Sequence, residues 1–310
     1  MKPHPQVQLL LEAAARSQLP TLDKVSSPFV QRRLYSERCR AVSPKQIPDA
    51  QTRLLLTPHG VAIRSYRPTA AAKTETLPAL VYFHGGGWTI GDLDTHDILC
   101  RELSNGARCE VFSVEYRLAP ESPFPAAVDD CIAATEFVSK YSKSGRIAVG
   151  GDSAGGNLAA VVALHARDAG GPQLCHQLLI YPATDQSMET GSIERNGRDY
   201  LLTRPLMERF RANYLPRAAD YADWRASPAL AKSHAGLPPA FVLTAGFDPL
   251  LDEGRQYAEL LARAGVEVAY RDYPDMIHGF ILMGGALDTA TQAVAECCAH
   301  LAKAFEKVAA

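Results

Sequence analysis

The segment "RIAVGGDSAGGNLAAVVALHA", residues 146–166, constrains this chain more than any other. Gly150, Gly151, Gly155 and Gly156 crowd Ser153, between an apolar run and a helix-like run. Glycine costs roughly 0.5–1 kcal/mol relative to alanine inside a strand or helix. Four of them here mean either a flexible loop around an inert serine, or a backbone turn that only small residues permit. The spacing Gly151-Asp152-Ser153-Ala154-Gly155 is G-x-S-x-G. In a sharp strand-to-helix turn of this kind the serine backbone is strained, its side chain stands above the sheet, and small neighbours let strand and helix approach closely.

The rest of the chain supplies the strand and the helix that such a turn needs. After about Gln51, β-rich runs alternate with longer helical runs. The pattern predicts strands over 52–57, 61–67, 79–84, 109–116, 146–151, 177–182, 240–246 and 266–273. The first two, joined by Pro58-His59-Gly60, read as a hairpin. The others are separated by helix-length spacers, which predicts an α/β fold: an eight-stranded, mostly parallel sheet with helices on both faces. Helical patterns cover 97–106, stopping at Asn105-Gly106, then 124–145, 251–265 and the closing segment 287–310. Residues 1–50 and about 185–227 break the alternation; the second contains the helix-like "RPLMERFRANYL". Both are expected to fold over one edge of the sheet as a helical cap on a catalytic domain spanning 51–310.

Three further features fall at predicted strand ends. In "YFHGGGWTIGD" (Tyr82–Asp92), glycines without a Cβ can point N–H groups inward. Gly85 and Gly86 are the expected partners of the Ala154 N–H in stabilising an oxyanion beside Ser153. His84 is expected to hold this loop by a hydrogen bond and to take no part in proton transfer. A dinucleotide fingerprint starting at Gly85 would need glycine at position 90, which is Ile90. In "TAGFDPLLDEG" (Thr244–Gly254), Asp248 sits just past a strand, where a carboxylate can orient an imidazole; Asp252 and Glu253 are rivals one turn further on. In "DYPDMIHGFI" (Asp272–Ile281), His278 follows the last strand, with Asp275 a competing carboxylate nearby. The order Ser153, Asp248, His278 is the one a nucleophile-elbow α/β enzyme requires. Asp152 is left without a catalytic role.

The set HGGG, GDSAGG, DPL and HGF, with "EYRLAPESPFPAAVDD" (Glu115–Asp130) between them, resembles the hormone-sensitive lipase family of serine carboxylesterases, in its GDSAG-bearing group. The resemblance runs from about Leu77 to the C-terminus. It implies an α/β-hydrolase core, a lid built from the N-terminus and an insertion after "YPATD", and hydrolysis of short-to-medium acyl esters. By position the family's nucleophile falls on Ser153, its acid on Asp248, its base on His278, and its oxyanion donors on Gly85, Gly86 and Ala154. Asp275 stands where relatives carry glycine. Two other readings stay open: an amidase or lactonase using the same three residues, and a non-catalytic ligand receptor on the same fold, against which His278 argues.

Composition excludes other classes. The net charge of −2 lacks the basic excess of a nucleic-acid surface. No apolar run approaches a membrane span, and no signal peptide is read at the N-terminus. Seven scattered cysteines without a CxxC pair read as buried, reduced thiols of a cytoplasmic protein. No metal or organic cofactor is expected, and the partner is a small-molecule ester. The edge strand at 266–273 leaves room for a homodimer.

Overall fold

A computed structural model describes residues 2–307. The eight strands are β1 (Ala50–Leu56), β2 (Ala62–Pro68), β3 (Ala79–Phe83), β4 (Glu110–Glu115), β5 (Ile147–Asp152), β6 (Leu174–Ile180), β7 (Ala240–Phe247) and β8 (Val268–Ile277). They form one sheet in the order β1-β2-β4-β3-β5-β6-β7-β8. The β1–β2 hairpin and the β2–β4 pair are antiparallel, and every later pairing is parallel. The predicted α/β architecture is therefore present, with each predicted strand in place to within a few residues.

The helices are α1 (Pro5–Arg16), α2 (Pro28–Val42), α3 (Asp97–Ala107), α4 (Ala126–Tyr141), α5 (Ala154–Asp168), α6 (Gly191–Asn196), α7 (Arg204–Tyr214), α8 (Leu251–Arg263) and α9 (Asp288–Lys307). Residues 308–310 of the predicted closing helix lie outside the described residues. Side chains alternate across a strand, so β3 feeds two cores. Val81 and Phe83 pack with α4, α5 and α8 on one face. Leu80 and Tyr82 pack with α3 and α9 on the other. All five β3 residues are buried, as a central parallel strand covered on both faces requires.

One predicted stop signal has a different meaning. The α3 helix runs through Asn105-Gly106 and ends at Ala107, with Arg108 left-handed at φ 48°. A Cβ on Gly106 would fall against Cys298 of α9. The glycine is there for close helix packing, and the turn is made two residues later. The insertion also contains α6, a short helix without an apolar stripe long enough to read from sequence.

The elbow itself rests on one close approach. Ser153 carries the strained backbone (φ 57°, ψ −117°) between β5 and α5. Gly151 and Gly155 allow it: a Cβ on Gly155 would collide with the carbonyls of Phe83 and His84, and one on Gly151 with Gly155 and Phe83. The first turn of α5 therefore lies directly on the end of β3. Nearby, the buried Glu253 of α8 accepts the Thr184 N–H at 2.6 Å through Oε1, while Thr184 Oγ1 donates to the Glu253 carbonyl at 3.1 Å. Its Oε2 has no partner. Burial pushes this carboxyl up to about 8, with the charges of Asp185 and Asp248 adding to the shift.

Two outcomes follow. Gly155→Ala should destabilise the fold by about 1–3 kcal/mol, because backbone carbonyls cannot retreat from the new methyl as a side chain can; urea midpoints measure it. For Glu253, the folded chain keeps a proton that the unfolded chain releases above the ordinary carboxyl range. Stability should therefore fall as pH rises from that range to about 8. Glu253→Gln should flatten that slope in urea midpoints taken across the window.

Candidate active site

The strand ends converge on Ser153. His278 follows β8 immediately, and its Nε2 lies 2.9 Å from Ser153 Oγ. Its Nδ1 lies 2.7 Å from Asp248 Oδ2. Asp248 follows β7 and is fully buried. Its second oxygen, Oδ1, accepts the Leu250 N–H at 2.8 Å, so both carboxylate oxygens are engaged. The imidazole is also packed on one side by the Tyr181 ring, with centroids 4.7 Å apart. Ser153, Asp248 and His278, residues up to 125 positions apart, thus form one hydrogen-bonded line.

Two of the rival carboxylates, Asp252 and Glu253, are bonded elsewhere. Asp252 accepts the Ser192 N–H at 2.7 Å and pairs with Arg195 at 3.1 Å. Glu253 is turned to Thr184. Asp275 contributes its backbone carbonyl, which accepts the His4 N–H at 2.9 Å.

The glycine loop after β3 is held in place by its surroundings. Gly86, Gly87 and Trp88 all have positive φ, at 118°, 58° and 54°. The Gly85 N–H is occupied: it donates to Asp152 Oδ1 at 3.0 Å. Among the described residues, the N–H groups of Gly86, Gly87 and Ala154 have no such acceptor. Of the three donors read from the sequence, the structure leaves Gly86 and Ala154 free and spends Gly85 on Asp152.

Asp152 thereby serves as a hydrogen-bonding scaffold beside the serine. Its Oδ1 also accepts from the Tyr82 hydroxyl at 2.8 Å and lies 3.1 Å from His96 Nε2. Burial opposes its charge, but His96 and Tyr82 outweigh burial and hold the carboxyl below its ordinary value. His84 is fully buried, stacked on Tyr116 at 4.2 Å, with Nδ1 2.8 Å from the Gly85 carbonyl. Burial, then the neighbouring His96, pushes its imidazole down to about 4, which keeps it neutral. The Tyr116 hydroxyl donates to the His84 carbonyl at 2.7 Å, and the Ala119 N–H to the Trp88 carbonyl at 2.8 Å. The "YRLAPE" segment thus sits directly behind the glycine loop.

Two side chains of α6 that support the site were not legible in the sequence. Asn196 of α6 donates through Nδ2 to the carbonyls of Gly246 and Asp248, both at 3.1 Å, and Ser192 Oγ donates to the Pro249 carbonyl at 2.6 Å. From α7, Tyr214 stacks on Trp88 at 4.5 Å, and Phe210 lies where a Cβ on Gly87 would be. An asparagine or serine in a short polar helix carries no local mark of such contacts. Among the described residues, no group of three or more His, Cys, Asp or Glu side chains is arranged to hold a metal ion. Among them, too, no helix is long and apolar enough to cross a membrane.

Comparison with known proteins agrees with this fold. A family model described as the alpha/beta hydrolase fold matches residues 80–282. The chain is 45% identical to the carboxylic ester hydrolase LipN of Mycobacterium tuberculosis over 78% of this chain and 68% of that protein. It is 37% identical to the ethyl acetate hydrolase of Pseudomonas putida, over 84% and 85% of the two chains. A solved ester-hydrolase from the metagenome of Lake Arreo, in complex with a bipyridine phosphonate derivative, superposes with a TM-score of 0.92 at 41% identity, covering 99% of this chain and 100% of that one. The chain belongs to the hormone-sensitive lipase family of α/β hydrolases.

Proposed function

We propose that the protein is a serine carboxylesterase that cleaves short-to-medium acyl esters through an acyl-enzyme on Ser153. The broader statement, that the chain is a carboxylic ester hydrolase, follows from relatives of that activity matched over most of their length. The observation that carries the finer reading is the line Ser153 Oγ–His278 Nε2 at 2.9 Å and His278 Nδ1–Asp248 Oδ2 at 2.7 Å, beside unpaired backbone N–H groups.

In this mechanism His278 takes the Ser153 proton as Oγ attacks the ester carbonyl. The tetrahedral oxyanion is received by the N–H groups of Ala154 and Gly86, with Gly87 in the place first given to Gly85. Asp248 holds the imidazole with Nδ1 protonated and stabilises the imidazolium that forms. His278 next protonates the departing alkoxide, and the acyl group stays on Ser153. Water activated by the same imidazole then releases the acid. The donors are pre-set in a loop whose left-handed residues would relax without support, so little reorganisation accompanies the reaction. Residues 1–50 and 185–227 act as a two-part cap: α7 touches the glycine loop and α6 the loop of Asp248.

Ser153→Ala should lower ester turnover by several orders of magnitude with the fold retained. An organophosphonate should label the wild-type protein once, on the peptide containing Ser153, as read by mass spectrometry; an adduct elsewhere contradicts the assignment. Across p-nitrophenyl esters from acetyl to palmitoyl, kcat/KM should fall sharply beyond octanoyl. A matched amide turned over as fast as its ester would favour the amidase reading.

A further inference from the structure

We infer that Arg32, on a helix some fifty residues before the glycine loop, is a positioning residue for the oxyanion donors. The guanidinium of Arg32 in α2 reaches across to the core. Its Nε donates to the Thr89 carbonyl at 2.9 Å, and its Nη2 to the Ala119 carbonyl at 3.0 Å. The remaining donors form a two-toothed pair with Glu121, at 2.9 and 2.6 Å. Arg32 therefore pins the glycine loop to the Tyr116–Glu121 segment behind it.

The position of this pin matters because the loop is strained. Gly86, Gly87 and Trp88 have positive φ, and the Thr89 and Ile90 N–H groups fold back to the Gly86 carbonyl at 3.1 and 2.9 Å. Each left-handed non-glycine residue costs of order 1–3 kcal/mol and persists only where its surroundings over-determine it. Three carbonyls of the loop are fixed from outside: His84 by Tyr116, Trp88 by the Ala119 N–H, and Thr89 by Arg32. The first two anchors come from the core. The third comes from the N-terminal segment, which is itself tied to α7: the Val25 carbonyl accepts from both Gln31 and Arg209. Among the described residues, Arg32 is the side chain by which the N-terminal segment hydrogen-bonds the glycine loop, while Leu22 and Tyr35 pack against the cluster around Ile90.

This rests on the reading that Gly86 and Gly87 stabilise the oxyanion, and the experiment separates the two. Ser153 Oγ adds to the carbonyl carbon of a trifluoromethyl ketone, the serine proton passes to His278, and the ketone oxygen is left as an oxyanion at the donors. A non-hydrolysable ether of the same chain length binds without forming one. In Arg32→Met, kcat should fall about 10- to 100-fold with KM little changed, as a displaced donor predicts. The ketone Ki should rise by the same factor, and the ether Ki should stay put. Glu121→Gln keeps the carbonyl bonds and should behave as wild type. Arg32→Lys keeps the charge beside Glu121 but gives up the planar fork. It should show the same pattern in smaller degree, which secures the result if Arg32→Met folds poorly.

Unchanged kcat and ketone Ki in both Arg32 variants would overturn the inference. So would a loss confined to KM, a parallel loss of ether binding, or an equal loss in Glu121→Gln. Wild-type protein indifferent to the ketone would remove the oxyanion reading itself, and the inference with it.

Discussion

The contact on which the site depends is the one between the first turn of α5 and the last residues of β3. Gly151 and Gly155 have no room for a side chain, because the carbonyls of Phe83 and His84 occupy it. That closeness places the start of α5, with its unpaired N–H at Ala154, beside the glycine loop that continues from β3. It also puts Ser153 into a backbone conformation that non-glycine residues avoid. The strain is held by the surrounding sheet: the Ser153 N–H donates to Ile180 at the end of β6, and its carbonyl accepts from Ala183.

A second constraint is the buried carboxylate beside the serine. Asp152 gathers Tyr82 from β3, His96 from the start of α3 and the Gly85 N–H of the glycine loop. One charge thus fastens the nucleophile turn to the loop that faces it. A charge in a site this dry is tolerable only because its partners satisfy it. The same bond consumes the N–H of Gly85 and leaves those of the following glycines available.

The segments outside the alternating pattern touch the site through its supports. Asn196 and Ser192 brace the carbonyls of the Asp248 loop, Phe210 and Tyr214 cover the glycine loop, and Arg32 fixes one of its carbonyls. Such segments are usually credited with shaping a substrate pocket. Here their polar contacts fall on the backbone that carries Asp248 and on the glycine loop whose N–H groups are proposed to receive the oxyanion, which would link their placement to rate as well as to selectivity.

Much of this was determined by local sequence. The eight strands follow from short β-rich runs bounded by turns and helix-length spacers, and the α/β order from their spacing. Ser153, Asp248 and His278 follow from residue type at strand ends taken in chain order, since such ends converge on one edge of a parallel sheet. Other features were decided only by tertiary structure. Whether the Gly85 N–H is free depends on a carboxylate 67 positions away. Gly106, which looks like a helix stop, is small because Cys298 lies against it. Asp252, a plausible acid by position, is taken by Ser192 and Arg195 from a distant helix. Asn196 and Arg32 look like any polar surface residues until the chain brings a carbonyl to them. The physical reason is common to all of these: propensity and periodicity record a residue's relation to its own strand or helix, whereas a hydrogen bond or close contact between remote segments exists only once the fold has set their distance.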